Sequence, residues 1–238
     1  MATPRFLIER IPATGGTAWL PRDEARHALG SRRLGSGDPV ELVDGRGGLA
    51  FARVGSARDH DGNLMVEVGE SRHEPRVRPA IHLATAIPKG DRLSTLLDAS
   101  GELAVESITP LCCERSVVPP DRLGGERSTR ILTEAMKQSR GLWCTEIRPP
   151  ADPVHFARQA NAAGHRVLLL DPAGAPLARA AEGAESISLL VGPEGGFTPA
   201  ELEQIDAFAR RASLGAGILR IELAVAAACG AIRAAQQA

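Results

Sequence analysis

The most constraining feature of this sequence is a series of short apolar runs, separated by helical stretches, that begins near residue 80. The runs are IHLATAI (81–87), SITPLCC (107–113), RVLLLD (166–171) and SISLLVG (186–192). Continuously apolar strands joined by helices are typical of a parallel sheet covered on both faces. The sequence therefore predicts a parallel α/β domain in the C-terminal part of the chain.

Five segments around these runs are helix candidates. They are DRLSTLLDASGELAV (91–105), STRILTEAMKQSRG (128–141), DPVHFARQANAAG (152–164), TPAELEQIDAFARR (198–211) and IELAVAAACGAIRAAQQ (221–237). The clearest helix start is at Thr198, which is a natural N-cap, with Pro199 in the first turn and Glu201 completing a capping box.

The N-terminal residues have a different pattern. The alternating runs PVELVD (39–44), LAFARV (49–54) and NLMVEVGE (63–70) are separated by DGRGG and RDHDG, which are hairpin signals. We expect a small antiparallel, barrel-like β domain of PUA or OB type. Its candidate interior residues are Leu42, Leu49, Phe51 and Val66. The proline-containing segment RHEPRVRP (72–79) is typical of a linker, so the predicted domains are 1–75 and 76–238.

Composition excludes several classes of protein. No stretch approaches the roughly 18 apolar residues of a membrane span, and MATPRFLIER lacks the features of a signal peptide, so we expect a cytoplasmic protein. The net charge is −1, which means that any RNA-binding surface must be a local patch. The cysteines form no CxxC pair and have no histidine at ligand spacing, which predicts reduced thiols and no metal site. They are Cys112, Cys113, Cys144 and Cys229.

The segment LLVGPEGGFTPAELEQ (189–204) places a glycine-containing turn between an apolar run and a helix. Such turns bring the backbone close to a ligand, and phosphate is the commonest one. This turn lacks the Lys and Ser/Thr of a P-loop and the GxGxxG spacing, and Glu194 would repel a phosphate. A ligand without phosphate, such as S-adenosylmethionine, is one interpretation. A tight strand-to-helix turn with no ligand is equally consistent with these residues.

Two further segments carry charges that require an explanation. SLGAGILRIELAVAAACGAI (213–232) introduces Arg220 and Glu222 into an apolar segment, either as structural partners or as groups that handle a substrate oxygen and proton. RSTRILTEAMKQSRGLW (127–143) carries positive charge along a predicted helix. This second pattern predicts either a solvated face with ion pairs or an RNA phosphate contact.

Taken together, these segments resemble the SPOUT class of RNA methyltransferases, and specifically the family that methylates N3 of a uridine in 16S ribosomal RNA. LLVGPEGGF resembles the family's strand and GPEGG loop, and LGAGILRIELA resembles its LGxxILRxExA segment. EAMKQSRG resembles its EAxxQSxR helix, and ESITPLCCERSVV resembles its strand and Ser/Glu-Arg-Ser stretch. GSGDPVELVDGRGG resembles a hairpin of its small RNA-binding β domain. The five segments follow the family's order along nearly the whole chain.

The resemblance implies a fold and a cofactor. The C-terminal domain would contain a deep trefoil knot, and two subunits would form a homodimer that shares the active site. Three loops would bind S-adenosylmethionine. The implied cofactor residues are Leu170, Asp171, Val191, Gly192, Pro193, Glu194, Gly195, Gly196, Leu214, Gly215, Ile218 and Leu219.

The resemblance also indicates the catalytic and RNA-binding residues. Uridine N3 carries a proton that must be removed, and negative charge spreads onto the ring oxygens. Arg220 is the candidate for charge stabilisation or base positioning, and Glu222 for orienting that arginine or acting as the base. The partner would be 16S ribosomal RNA or the small ribosomal subunit. Candidate RNA-binding residues are Arg5, Arg32, Arg33, Arg130, Lys137 and Arg140.

The sequence departs from the family's pattern at several positions. The family commonly has Thr on both sides of the glutamate after LR, where this chain has Ile221 and Leu223, and a proline and a basic residue before ILR, where it has Ala216 and Gly217. Arg140 is displaced by one residue. Two other functions therefore stay open at this point: methylation of another RNA such as transfer RNA, and a catalytically inactive RNA-binding or ribosome-assembly protein.

Overall fold

The computed structural model describes residues 3–12 and 15–235, and these residues divide into two units. One unit comprises Met1–Arg76 together with Arg140–Trp143, and the other comprises Val77–Ser139 together with Cys144–Ala238. Each unit contains its own cluster of buried apolar side chains. The short segment 140–143 therefore belongs to the smaller unit although it follows a helix of the larger one.

The smaller unit is built on a five-stranded sheet. Its strands are β1 (Arg5–Leu7), β2 (Gly16–Leu20), β3 (Pro39–Val43), β4 (Gly48–Arg58) and β5 (Leu64–His73), in the order β1-β3-β4-β5-β2. β1 pairs with β3 in parallel, and the other pairs are antiparallel. The short helix α1 (Arg22–Arg26) and a π-helical turn (His27–Ser31) follow β2. Among the described residues, strand pairing leaves β1 and β2 at the two edges of this sheet.

The interior of the smaller unit agrees with the sequence pattern at three of the four predicted positions. Leu42, Leu49 and Val66 are buried, but Phe51 is 51% exposed, so its predicted interior position is wrong. The buried residues on either side of it explain why. Ala50 and Ala52 both point into the core, and successive strand residues face opposite sides of a sheet, so the residue between them faces outward.

The larger unit is a six-stranded sheet in which every pair is parallel, which confirms the predicted α/β domain. Its strands are β6 (Ala80–Thr85), β7 (Ser107–Pro110), β8 (Glu146–Ile147), β9 (Arg166–Pro176), β10 (Ser186–Val191) and β11 (Arg210–Ser213). Their order in the sheet is β11-β9-β10-β6-β7-β8. The central register aligns Leu189 of β10 with Leu83 of β6 and Leu168 of β9, and all three side chains are fully buried.

Six helices accompany this sheet among the described residues, and each of the five predicted helical segments overlaps one of them. They are α2 (Arg92–Glu102), α3 (Glu126–Gln138), α4 (Pro153–Ala162), α5 (Leu177–Ala181), α6 (Pro199–Ile205) and α7 (Ile221–Ala234), with a 3₁₀ turn at Pro120–Leu123. The predicted helix at 198–211 is too long, because Arg210 and Arg211 form part of β11. Residues 236–237 of the predicted final helix lie outside the described residues. None of the helices within residues 3–12 and 15–235 has the length and apolar character that a bilayer span requires.

Helix α6 begins where the capping signals predict. The hydroxyl oxygen of Thr198 accepts a hydrogen bond from the backbone N–H of Glu201 at 3.2 Å. In return, a carboxylate oxygen of Glu201 accepts one from the backbone N–H of Thr198 at 2.7 Å. Pro199 occupies the first turn, where its missing N–H costs nothing. This reciprocal cap fixes the point at which the glycine-containing turn ends.

Candidate cofactor-binding site

A cavity of about 400 Å³ lies beside the carboxyl end of β10 and the middle of β9. Residues 169–172 of β9 line it together with two loops, at 191–197 and 214–219, and the first turn of α7. β11, β9 and β10 are neighbours in a parallel sheet, so the loops that follow β10 and β11 meet at one edge on either side of β9. The volume falls in the range of about 300–1,000 Å³ that is typical of small-molecule sites.

The cavity brings together all twelve residues that the resemblance implied for cofactor binding. They are Leu170, Asp171, Val191, Gly192, Pro193, Glu194, Gly195, Gly196, Leu214, Gly215, Ile218 and Leu219. Sequence reasoning missed eight further lining residues, which are Leu169, Pro172, Phe197, Leu202, Ala212, Gly217, Ile221 and Ala224. Phe197, Gly217, Ile221 and Ala224 lie inside the quoted motifs LLVGPEGGF and LGAGILRIELA, so membership in those motifs was the available signal for them.

The GPEGG turn requires glycine at two of its positions. Gly196 has φ of +68°, a conformation that side chains other than glycine rarely adopt, and its N–H donates to the carbonyl of Pro193 at 2.8 Å. A Cβ atom at Gly192 would lie 2.7 Å from the ring of Phe197. Phe197 is itself 7% exposed, so the ring has little room to move. The conformation of the turn therefore requires glycine at positions 192 and 196.

The Glu-Arg-Ser stretch after β7 holds this turn from the outside. Arg115 Nη1 donates to the carbonyl oxygen of Gly195 at 2.9 Å and to that of Phe197 at 3.5 Å. The backbone N–H of Glu114 donates to Glu201 Oε1 at 2.9 Å, so the capping glutamate of α6 also binds this stretch. The sequence motif contained Arg115, but no role was predicted for it.

Two acidic side chains on the cavity wall have arginine partners. Glu194 Oε1 lies 3.8 Å from Arg92 Nη1, a long ion pair between two partly exposed side chains. Asp171 Oδ2 accepts a hydrogen bond of 3.0 Å from Arg211 Nη1. Arg211 also donates to both carboxylate oxygens of Asp206, and this bonding lowers the pKa of Asp206 below its ordinary value. A charged network therefore fixes the position of Asp171.

The loop before α7 leaves open space in front of its glycines. A Cβ atom built on Gly215 or Gly217 would meet no other protein atom within 4 Å, although both residues line the cavity. Ser213 Oγ accepts a hydrogen bond from the N–H of Gly215 at 3.0 Å and donates to the carbonyl of Pro172 at 3.2 Å. Ser213 thus joins the loop before α7 to the middle of β9. Side chains at these glycines would occupy space available to a ligand.

The two predicted catalytic residues lie at the start of α7 but do not line the cavity. Arg220 is the N-cap residue and is exposed, whereas Glu222 is 5% exposed. No hydrogen bond or ion pair joins them within the described residues, and Glu222 Oε2 has no hydrogen-bond partner there. Their neighbours Ile221 and Ala224 do line the cavity. The predicted pairing of Glu222 with Arg220 is therefore absent from this arrangement.

The six predicted RNA-binding residues fall into two groups. Arg32, Arg33 and Arg130 are exposed. The others contact acidic side chains: the Arg5 and Arg140 guanidinium groups both bind Glu41 Oε2, at 2.8 Å and 2.9 Å, and Lys137 binds Glu134 Oε1 at 2.7 Å. The side chains of Arg5 and Lys137 are only 8% and 5% exposed.

Comparison with known proteins shows the family to which this chain belongs. The sequence model of an RNA methyltransferase domain matches residues 75–233, and that of an RNA methyltransferase PUA domain matches residues 20–61. Ribosomal RNA small subunit methyltransferase E of Mycobacterium bovis is 32% identical, over 98% of this chain and 92% of that protein. The chain belongs to the ribosomal RNA small subunit methyltransferase E family.

Other members of the methyltransferase E family match over similar lengths. The Bacillus subtilis protein is 27% identical, over 94% of this chain and 91% of its own length. The crystal structure of the Neisseria gonorrhoeae protein bound to S-adenosyl methionine is 28% identical, covers 98% of both chains and has a TM-score of 0.85. Membership in the methyltransferase E family confirms the resemblance, including the PUA-like character of the N-terminal domain.

Within the part of the chain that the structure describes, no group of three or more His, Cys, Asp or Glu side chains could hold a metal ion. The four cysteines are free thiols, of which Cys113 and Cys229 are buried. Burial raises the pKa of both buried thiols to about 12.

Proposed function

We propose that this protein transfers a methyl group from S-adenosylmethionine to N3 of a specific uridine in 16S ribosomal RNA. One observation carries the proposal: two loops with the family's motifs and a segment of β9 meet around a cavity of about 400 Å³. Its support is the Neisseria gonorrhoeae relative, whose structure is described as bound to S-adenosyl methionine. The reaction would take place in the cytoplasm, on the RNA or on the small ribosomal subunit.

The cavity residues fit this cofactor in chemical character. Leu170, Val191 and Leu219 provide apolar contacts for an adenine ring, and the backbone of the GPEGG turn provides hydrogen-bonding groups. Glu194 places a carboxylate beside a site that would receive a cation, and Asp171 can accept a hydrogen bond from a hydroxyl group. When bound, S-adenosylmethionine supplies an electrophilic methyl carbon on a sulfonium ion.

Glu222 is the proposed base. Its carboxylate is nearly inaccessible to water and Oε2 has no hydrogen-bond partner among the described residues, so it can take a proton without first breaking an ion pair. Uridine N3 lies on the Watson–Crick edge, so the uracil ring must leave its RNA helix to react. The uracil would then meet Glu222 at the first turn of α7, beside Ile221 of the cavity wall.

Arg220 is the proposed group for stabilising charge on the uracil oxygens. Its guanidinium is exposed at the N-cap of α7, directly before the turn that borders the cavity. Arginine stays protonated at any working pH and donates in a fixed planar geometry, which suits two ring oxygens that gain charge when N3 loses its proton.

The RNA backbone would be bound mainly by the exposed predicted arginines Arg32, Arg33 and Arg130. Arg5 and Lys137 are nearly buried and paired with glutamates, so their contribution to RNA binding would be indirect, through the positions of the segments they join. Arg140 is 42% exposed and retains the capacity for a phosphate contact beside its bond to Glu41.

We also propose a homodimer. Three apolar side chains next to the cofactor cavity are exposed: Ile218 at 91%, Leu219 at 41% and Leu223 at 50%. A second copy that covered them would remove an apolar patch from water, and a two-fold interface would present the same patch from both subunits. The alternating runs and the linker-like segment 72–79 support a barrel-like N-terminal domain that ends at residue 75, and the family resemblance supports the deep trefoil knot.

Transfer of a radiolabelled methyl group to three acceptors tests the function. The acceptors are deproteinised 16S RNA, assembled small subunits and transfer RNA, and binding of S-adenosylmethionine is measured in parallel by calorimetry. The proposal predicts cofactor binding and label in 16S RNA from one or both ribosomal preparations. Label in transfer RNA alone would assign a different RNA substrate, and cofactor-independent RNA binding without any label would identify an inactive protein.

A further inference from the structure

A second, larger cavity of about 880 Å³ lies at the opposite edge of the parallel sheet. It is bordered by the first residues of β6, β9 and β10, which are Ala80, Arg166 and Ser186. Because parallel strands all begin at the same edge, this cavity is separated from the cofactor cavity by the length of the strands. The methyl-transfer proposal gives it no role.

Arginine dominates the charge of this cavity. Four arginines line it, against two glutamates, Glu106 and Glu185. The arginines are Arg78, Arg148, Arg166 and Arg210. Clefts lined by one sign of charge concentrate ligands of the opposite sign, so the cavity favours an anion.

The structure uses only some of these guanidinium groups. Arg166 donates to the backbone carbonyls of Ala180 and Glu182, near the end of α5, and Arg148 forms a long contact of 3.4 Å with Glu146. Arg78 and Arg210 are exposed, and their side chains form no ion pair or hydrogen bond with any other described residue. Two of the four positive charges are therefore available to a ligand.

His165 of this cavity carries little positive charge at neutral pH. The rings of His82 and His165 are stacked with their centroids 4.6 Å apart, and His165 Nδ1 lies 2.9 Å from Ser188 Oγ. Burial, followed by the neighbouring Arg148, holds the pKa of His165 below its ordinary value. The attraction for anions above pH 7 thus depends on the arginines rather than on His165.

We infer that this cavity is a second RNA-binding site, which holds the phosphodiester groups of an RNA strand at the edge of the sheet opposite the cofactor cavity. The inference rests on the proposed function, because that function makes RNA the substrate. The lining extends from Arg210 on β11 to Arg148 directly after β8, across six strands or about 24 Å. Several consecutive phosphates fit this length, and guanidinium groups bind phosphate in a bidentate manner.

The test uses a fluorescent oligoadenylate, which contains no uridine and so cannot serve as a methyl acceptor. Its affinity is measured against salt concentration for the wild type and for the double variant Arg78→Gln, Arg210→Gln. The control is Arg158→Gln, Arg179→Gln, which removes the same charge from exposed positions outside the cavity. Melting temperatures of all three proteins verify folding.

Loss of two phosphate contacts should reduce the slope of log affinity against log salt by about 1.4, and the affinity at low salt by roughly tenfold or more. The control should resemble the wild type. Equal slopes in the test and control variants would overturn the inference. Loss of inorganic phosphate binding with unchanged oligoadenylate binding would overturn it as well, because it would identify a site for a free anion.

Methyl transfer is measured on the same proteins to separate the two proposals. The double variant should keep its calorimetric affinity for S-adenosylmethionine and its kcat, with a raised KM for ribosomal RNA. A wild type that transfers no methyl group while the slope difference persists would overturn the proposed function and support the RNA-binding site. A double variant with lower kcat and unchanged slope would count against the site.

Discussion

Arg115 Nη1 donates a hydrogen bond of 2.9 Å to the carbonyl oxygen of Gly195, 80 positions along the chain. This contact attaches the stretch after β7 to the turn after β10. The same stretch binds the capping glutamate of α6 through the N–H of Glu114. The conformation of the GPEGG turn therefore depends on a segment that does not line the cofactor cavity.

Replacing Arg115 by alanine should weaken S-adenosylmethionine binding about five- to tenfold, because an exposed hydrogen bond of a charged donor contributes roughly 1 kcal/mol to holding the turn. Calorimetry measures the change. The matched control is Arg122→Ala, which removes an exposed arginine outside the cavity lining. An Arg115→Ala protein with wild-type affinity would show that the turn keeps its conformation without this contact.

The two glycines of the turn should differ in their tolerance of alanine. At Gly192 the new Cβ would lie 2.7 Å from the Phe197 ring, which must then move and open the turn. At Gly195 the Cβ would lie 3.5 Å from the Arg115 side chain, an ordinary contact. We expect Gly192→Ala to reduce cofactor affinity at least tenfold and Gly195→Ala to leave it within about twofold. A comparable loss of cofactor affinity in both variants would contradict the expected difference between Gly192 and Gly195.

The local features of the site could be predicted from the sequence because they depend on neighbouring residues. The capping box at Thr198 and Glu201 involves residues three positions apart, and the glycine turn follows an apolar run that ends at Val191. The order of parallel strands then brings the loops together. The ligand itself came from the family resemblance, since a plain turn was equally consistent with the residues.

The remaining features depend on contacts between distant segments, which local patterns do not encode. Arg5 was predicted to bind RNA, but Glu41 lies on the paired strand β3 and binds its guanidinium group, and Arg140 reaches the same carboxylate. Lys137 was predicted on a charged helix face, yet its side chain is 5% exposed. Phe51 was assigned to the core although the alternation of its neighbours places it outside.

Two substitutions of Glu222 distinguish its role in methyl transfer from its effect on the stability of the fold. Glu222→Gln should keep cofactor affinity and lower methyl transfer at least 100-fold, because the amide cannot accept the N3 proton. Glu222→Leu should also be inactive but more stable by about 1–3 kcal/mol, since it removes a buried carboxylate that has no described partner for Oε2. The exposed Glu203→Gln is the control. Normal turnover by Glu222→Gln would exclude Glu222 as the base.

His165 predicts a pH dependence of stability. Burial lowers its pKa in the folded protein, so between that value and about 6.5 the unfolded chain binds more protons. The free energy of unfolding therefore keeps this contribution above about pH 6.5 and loses it as the pH falls through the folded pKa. The free energy of unfolding, measured with urea across this pH range, should depend less on pH for His165→Gln than for the wild type. An identical pH dependence of the two free energies would contradict the assignment of this effect to His165.

The most direct test of the account is the identity of the methylated nucleoside. Small subunits or 16S RNA are incubated with the protein and S-adenosylmethionine, and the RNA is digested and analysed by mass spectrometry. We predict 3-methyluridine at a single position, which is absent when Arg220→Ala replaces the wild type although that variant still binds the cofactor. A methyl group on another atom or base, or no methylated nucleoside from a cofactor-bound wild type, would contradict it.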